Sequence, residues 1–260
     1  MKRRTFLKSA VAGGFAARVP FLSGATEEDR KYLTLEWYRS RNDLDVQRLR
    51  DFLGNSLVPA YGRAGLKPVG LLQTSIGPDS PSILVVAPYP SMAAIQEVAA
   101  KLAQDEKYTG DQTAFDEKWD LAYERREASL LRTFKSMPGL EVPKVDAGKT
   151  NLFELRQYES RNLLGHTRKV AGFDNGEIDI FRRCGINPVF FGATVFGPRM
   201  PNLVYMVSFP AIEARTEAWS RFGQDPDWKK MSTGPGNTNR ELVSSISNQI
   251  MVPLPASQVR

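Results

Sequence analysis

Ionisable and aromatic side chains recur at matching positions of two segments that lie 120 residues apart. The segments are residues 33–42 and 153–162, and both end in the pattern Tyr-x-Ser-Arg-Asn. Alternation of residue types along each segment predicts a β-strand, in which successive side chains lie on opposite faces. If the faces carrying Leu35 and Leu155 pack against helices, the other faces point into the interior of the fold. Those faces carry Glu36, Tyr38, Glu154, Arg156 and Tyr158.

This arrangement predicts a ligand site between the two strands. Glu36 and Arg156 occupy equivalent positions with opposite charges, and Tyr205 of a later predicted strand could join them. Polar groups that converge in a mostly apolar cleft are the usual signature of a binding site. The alternative is a buried ion pair that fixes how the two halves of the chain dock. The residues alone leave both interpretations open.

The two Ser-Arg-Asn turns carry further candidates. Arg41, Asn42, Arg161 and Asn162 could contact an anionic ligand at the mouth of the fold. A repeated turn motif is more often structural, because Asn and Ser cap the helices that follow such turns. The single histidine, His166, has no evident partner to orient it as a general base.

Composition argues against several classes of function. Five of the six net positive charges lie in residues 1–25, so the rest of the chain is close to neutral, at +1. A neutral body gives no reason to expect nucleic acid as a partner. One Cys and one His predict no metal site, and no cofactor motif is evident. No later stretch approaches the roughly 18 apolar residues of a membrane-spanning helix.

The similarity of the two segments extends without a gap. Residues 32–108 and 152–228 share 21 identities in 77 positions. The shared residues include the turn pattern Gly-Pro-x-x-Pro, at 77–81 and at 197–201. The period is too long for a solenoid repeat, which spans about 20–50 residues. The sequence therefore predicts a duplicated domain.

Each half reads as β-α-β-β-α-β, the ferredoxin-like order. The predicted fold class is α+β, with two tandem ferredoxin-like units. We expect the domains at 32–143 and 151–255, and expect the tail, 253–260, to be loosely ordered.

The first residues resemble a bacterial twin-arginine export signal. Arg3 and Arg4 precede Phe6, Leu7 and Lys8, and a weakly apolar run follows. A signal peptide over 1–25 predicts a periplasmic or otherwise extracytoplasmic protein.

Several segments of the second half resemble the NIPSNAP family. They are Phe153-Glu-Leu-Arg-Gln-Tyr158, Gly185-Ile-Asn-Pro-Val-Phe-Phe191, residues 197–205, Trp219 with Phe222, and Asp225-Pro-Asp-Trp-Lys229. The first half is similar to a degenerate copy of the same domain. The resemblance implies a dimeric α+β barrel, here with both units in one chain. The family has no agreed activity, so the resemblance implies no catalytic residue, and shared fold does not imply shared function.

Three functions remain open. The sparse acid–base equipment favours a binding protein that holds a small apolar or mixed ligand in the barrel cleft. The first alternative is a cofactor-independent oxygenase or isomerase acting on an aromatic or lipid-like substrate, positioned by Glu154, Arg156 and Tyr158. The second is a structural or assembly role. The residues leave the oligomeric state open, a homo-oligomer included.

Overall fold

The structure, a computed structural model, describes residues 31–41, 43–145 and 150–260. The predicted signal segment, 1–25, lies outside the described residues.

The first half contains four strands and a layer of helices. Asp45 and Ser91 cap two of these helices by accepting hydrogen bonds from the backbone N–H groups of Arg48 and Ala94. The elements in chain order are β1 (Tyr32–Arg39), α1 (Val46–Phe52), a π-helical segment (Leu53–Leu57), α2 (Val58–Ala64), β2 (Gly70–Ile76), β3 (Ile83–Tyr89), α3 (Met92–Gln104), α4 (Glu106–Asp116) and β4 (Arg125–Thr133).

The second half repeats this order. The elements are β5 (Leu152–Ser160), α5 (Leu163–Gly172), a π-helical segment (Phe173–Glu177), α6 (Ile178–Arg183), β6 (Asn187–Phe196), β7 (Asn202–Phe209), α7 (Ile212–Gln224), α8 (Pro226–Thr233), α9 (Asn239–Leu242) and β8 (Val243–Pro253). The two π-helical segments lie 120 residues apart, so the offset seen in the sequence also relates the backbones.

The strands form one closed barrel in the order β1-β3-β2-β8-β5-β7-β6-β4. Each half contributes four neighbouring strands in the ferredoxin-like order, with its last strand beside its first. The halves join where β2 pairs with β8 and where β4 pairs with β6. The predicted fold class is confirmed, and the barrel closes within one chain, which leaves no open sheet edge among these strands.

The apolar residues form three clusters. Two of them lie between the sheet and the helices, one in each half. The third fills the barrel interior with side chains from both halves, among them Leu33, Leu35, Phe153, Leu155 and Phe190. Both faces of the sheet are therefore buried, as is usual where helices cover a sheet.

The predicted orientation of the first strands is wrong. Leu33, Leu35 and Phe153 point into the barrel, whereas Tyr38 and Tyr158 pack against the helices. The alternation was read correctly, but both faces of these strands are buried. Alternation alone therefore could not show which face lines the interior.

The expectation of a loosely ordered tail is also wrong. Leu254 and Gln258 donate backbone hydrogen bonds to the carbonyls of Leu71 and Val69, at the start of β2. Val259 is 1% exposed and belongs to the interior cluster. The tail therefore closes one end of the barrel. The other end lies where β2 finishes and its hairpin begins.

Candidate functional site

The predicted site residues of the second half form a hydrogen-bonded cluster under the helices. Glu154 is fully buried and accepts hydrogen bonds from Arg156, Arg215, Trp219 and Asn248. Both nitrogens of the Arg215 fork lie 2.8 Å from the carboxylate oxygens. Strands β5 and β8 and helix α7 each supply partners, so the cluster ties the helix to the sheet.

The protonation states of this cluster argue against a proton-transfer role. Burial acts to raise the pKa of Glu154, but the hydrogen bonds from Arg215 and the charge of Arg156 hold it below its usual value. Burial raises the pKa of Tyr205 well above its usual value. Its hydroxyl lies 3.0 Å from that of Tyr158. A general base needs a pKa near the working pH. The pKa of Glu154 is shifted below that range and the pKa of Tyr205 above it.

The first half has its own cluster, around Glu36. The Tyr61 hydroxyl donates to this carboxylate over 2.8 Å, and Arg126 donates over 2.5 Å. Burial first, and then the charge of Glu36, raises the pKa of Tyr38 above its usual value. Tyr38 therefore stays a neutral phenol.

The structure does not bring Glu36 and Arg156 together. Their strands, β1 and β5, lie on opposite sides of the barrel, four strands apart in either direction. Each side chain faces its own helices and pairs within its own half. The predicted ion pair between the halves is therefore wrong, as is the cleft that these residues were expected to share.

The turn candidates bond locally. Arg41 pairs with Asp43 and Glu124. Asn162 caps α5 by accepting from the Gly165 backbone N–H over 2.8 Å. Arg161 donates to the carbonyl of residue 240, and Asn42 lies outside the described residues. None of the described turn residues lines the cavity at the open end of the barrel.

A cavity of about 130 Å³ opens at the end of the barrel opposite the tail. We call it the barrel mouth. Its floor is apolar, made by Leu35, Trp37, Leu155 and Val204. Its rim is polar and includes Arg39, Asp79, Glu127, Ser129, Gln157, Thr194, Arg199, Asn202, Ser247 and Gln249.

Charged side chains on the rim pair with one another. Arg39 donates to Glu127 over 2.8 Å and lies 3.5 Å from Asp79. Its guanidinium also covers the Trp37 ring, 4.2 Å from the ring centre. Such stacking orders both side chains, so one wall of the barrel mouth is preorganised.

Two equivalent hairpins, one from each half, overhang the barrel mouth. Gly77 and Gly197 have φ of +150° and +157°, and an added Cβ would lie 2.8 Å from Gln249 and 2.7 Å from Ser129, respectively. Asp79 and Arg199, at matching positions, adopt φ of +56° and +62°. Non-glycine residues are uncommon in this region, and they often mark functional turns.

Three polar side chains of the barrel mouth have no hydrogen-bond partner within the part of the chain that the structure describes. They are Ser129, Gln157 and Ser247, which lie on three different strands. Hydrogen-bonding groups beside an apolar floor can orient a ligand. The sequence did not predict these rim residues, because the face of β1 and β5 that carries Leu35 and Leu155 was expected to pack against the helices. The same face becomes polar at Arg39 and Gln157, and this change indicates the end of the apolar interior.

No group of three or more His, Cys, Asp or Glu side chains among the described residues could hold a metal ion. None of the helices in the described ranges is long and apolar enough to cross a membrane.

A single-chain barrel of two ferredoxin-like halves, with helices outside, defines a fused dimeric α+β barrel. Residues 153–258 match the NIPSNAP family model, which confirms the resemblance of the second half of the chain to this domain. No curated protein sequence matches the chain.

Solved structures similar to this chain include two that span both halves. A proposed monooxygenase from Fusobacterium nucleatum is 8% identical, with a TM-score of 0.58, covering 86% of this chain and 93% of that one. A proposed monooxygenase from Lactobacillus acidophilus is 11% identical, with a TM-score of 0.54, covering 86% and 94%. At such identities the similarity shows the fold alone.

One similar structure corresponds to a single half. A NIPSNAP family protein of unknown function from Agrobacterium tumefaciens is 20% identical, covering 44% of this chain and 96% of that one, with a TM-score of 0.39.

Proposed function

We propose that the protein binds a small molecule with an apolar body and a polar head in the barrel mouth. The observation that carries this proposal is the cavity itself, with an apolar floor at Leu35 and Leu155 and unpartnered polar groups at its rim. The mouths of β-barrels are common places for ligand sites. An eight-stranded barrel can hold one small ligand where side chains do not fill it.

The size of the cavity limits the ligand. Its 130 Å³ is below the roughly 300–1,000 Å³ of sites for drug-sized molecules. A long lipid chain would not fit, because the side chains of Leu33, Phe153 and Phe190 fill the barrel interior. The ligand is therefore small, or its head projects between the two hairpins.

A binding role has more support than catalysis at the residues first considered. Glu154 is saturated with donors and keeps a lowered pKa. Tyr205 stays protonated because burial raises its pKa. The similar proposed monooxygenases support the fold. Their sequence identity to this chain is too low to support a shared reaction.

Native mass spectrometry of the purified protein tests the proposal. Ser129→Trp would fill the barrel mouth from β4, and Ser220→Trp, on the exposed surface of α7, is its matched control. We expect a retained small molecule on the unaltered protein and on the control, and a bare chain for Ser129→Trp. A bare mass for the unaltered protein would contradict retention of a ligand in the barrel mouth.

We also propose that the protein acts outside the cytoplasm of a bacterium. The support is the Arg3-Arg4 pair followed by Phe6, Leu7 and Lys8, a pattern typical of twin-arginine export. Replacing both arginines by lysine keeps the charge and is expected to stop export. Cell fractionation measures this, and periplasmic recovery of the lysine variant would contradict the proposal.

A further inference from the structure

A second cavity, of about 270 Å³, lies outside the barrel in the helix layer of the second half. The buried pair Lys169 and Glu177, which we call the dyad, forms part of its wall. We therefore call the cavity the dyad pocket. It lies between α5 with its π-helical extension and helices α8 and α9. Its other lining residues are Arg168, Ala171, Gly172, Asn175, Trp228, Met231, Ser232, Asn237 and Leu242.

Lys169 and Glu177 form a fully buried ion pair. The lysine Nζ lies 2.9 Å and 3.1 Å from the two carboxylate oxygens. The two side chains are only 5% and 3% exposed. Removing two charges from water costs several kcal/mol per ion, which their mutual attraction offsets only in part. Stability alone therefore gives little reason for an ion pair here.

The duplicated chain supplies its own comparison. The positions equivalent to Lys169 and Glu177 in the first half are Leu49 and Leu57. These leucines are 0% and 3% exposed, within the helix-side core. The same helix and π-helical segment therefore pack well with two apolar residues. The second half keeps a charged pair where the fold does not require one.

The dyad retains unused hydrogen-bonding capacity. Among the described residues Lys169 is the hydrogen-bond partner of Glu177, whereas a carboxylate offers about four acceptor sites. The ammonium has three N–H donors and otherwise faces aromatic rings. Its Nζ lies 4.6 Å from the ring centre of Phe173 and 5.3 Å from that of Trp228.

The backbone is distorted next to the dyad. In the π-helical segment of the second half, Asn175 leaves helical geometry and Gly176 adopts φ of +125°. The first half has no positive φ at the equivalent Ser56. Glycine alone enters this region without strain, and π-helical insertions occur often at functional sites. The distortion and the charged pair therefore lie side by side in the wall of the dyad pocket.

We propose that the dyad pocket binds a neutral aromatic molecule that carries a hydroxyl group. A hydroxyl both donates and accepts, so it can donate to Glu177 and accept from Lys169. The dyad is neutral as a pair and gives a charged ligand no net attraction, whereas a hydroxyl satisfies both of its members. Trp228 and Met231 supply a surface that suits an aromatic ring.

The test compares 2-naphthol with naphthalene, which has the same rings and lacks the hydroxyl. Isothermal titration calorimetry on the full chain should give 2-naphthol the tighter affinity, by about tenfold or more. The double variant Lys169→Leu/Glu177→Leu copies the first half. It is expected to fold, as circular dichroism would show, and to bind both compounds equally. The exposed control Ser220→Trp should keep the preference.

Two results would overturn the proposal. One is that the unaltered protein binds neither compound or does not distinguish them. The other is that the folded double variant keeps its preference for 2-naphthol, which would place the hydroxyl elsewhere. If the double variant does not fold, Met231→Trp fills the pocket and leaves the dyad intact. Undiminished binding of 2-naphthol by that variant would equally overturn the proposal.

Discussion

At the residue scale, two buried glutamates of the second half are held in opposite ways. Glu154 accepts from several donors, which hold its pKa below the usual value against the effect of burial. Burial raises the pKa of Glu177, and Lys169 offsets this only in part. The number of donors decides the difference, because each hydrogen bond to the ionised form favours it. Glu154 therefore stabilises the fold, whereas Glu177 keeps capacity for a ligand.

Glu154 makes the stability of the protein fall in acid. Its pKa is lower in the folded than in the unfolded state, so the unfolded state binds the proton more readily as the pH falls. The stabilisation is present above the unfolded pKa of about 4.3 and is lost as the pH falls through the lower folded pKa. Glu154→Gln should be less stable near neutral pH, by about 3 kcal/mol or more. It should also lose less stability on acidification. Urea unfolding across this pH range measures both, and an unchanged acid slope would contradict the assignment.

The Lys169–Glu177 pair gives a second prediction at this scale. Lys169→Leu should destabilise the protein by about 3–5 kcal/mol, because it leaves a buried carboxylate without its partner. Adding Glu177→Leu should restore most of that stability, since Leu49 and Leu57 pack at the equivalent positions. Urea unfolding of the single and double variants measures the difference. A double variant less stable than Lys169→Leu would show that the second half does not tolerate the apolar pair.

At the element scale, the tail acts as a plug for the barrel. It hydrogen-bonds to the start of β2 and inserts Val259 into the interior cluster. The barrel mouth lies at the other end of the same strand. The cavity is therefore open at one end only, which is the shape that a binding site needs.

Truncating Val259 should weaken the plug. Val259→Ala should destabilise the protein by roughly 2 kcal/mol, from lost apolar burial and the cavity left behind. Val252→Ala is the matched control, because Val252 is 40% exposed. It should cost less than about 1 kcal/mol. Equal effects in thermal unfolding would show that the tail does not contribute to the core.

The order of the elements could be predicted, but their orientation could not. The alternation in 33–38 and the shared turns at 77–81 and 197–201 were enough for two ferredoxin-like units. The interior face of β1 was misassigned because Glu36 and Glu154, although polar, are buried by partners from other elements. Those partners, such as Arg215, cannot be read from a strand pattern. The sequence could have pointed to the dyad. The two halves align without gaps, and Lys169 and Glu177 stand where the first half has Leu49 and Leu57.

At the scale of the whole molecule, the two halves form one barrel that is joined at two seams. These are the pairings of β2 with β8 and of β4 with β6. At the seam between β4 and β6, Gly192 pairs with Thr133. A Cβ at Gly192 would lie 2.8 Å from the Cβ of Leu131. Such a contact requires the strands to move apart, so this glycine allows the halves to approach closely.

The seam prediction compares two glycines. Gly192→Ala should destabilise the protein by about 1–3 kcal/mol through overpacking. Gly223→Ala, in helix α7 with open space around it, should stabilise it by up to about 1 kcal/mol. Chemical denaturation of both variants measures the contrast. A neutral effect at Gly192 would mean that the seam adjusts without cost.

The most direct test of the account is a crystal structure of the protein purified from cells without added ligand. The account predicts electron density for a small molecule in the barrel mouth, in contact with Leu35 and Leu155 and hydrogen-bonded to Gln157 or Ser129. A barrel mouth that holds only water, with Arg39 and the two hairpins closed over it, would contradict a binding function at this end of the barrel.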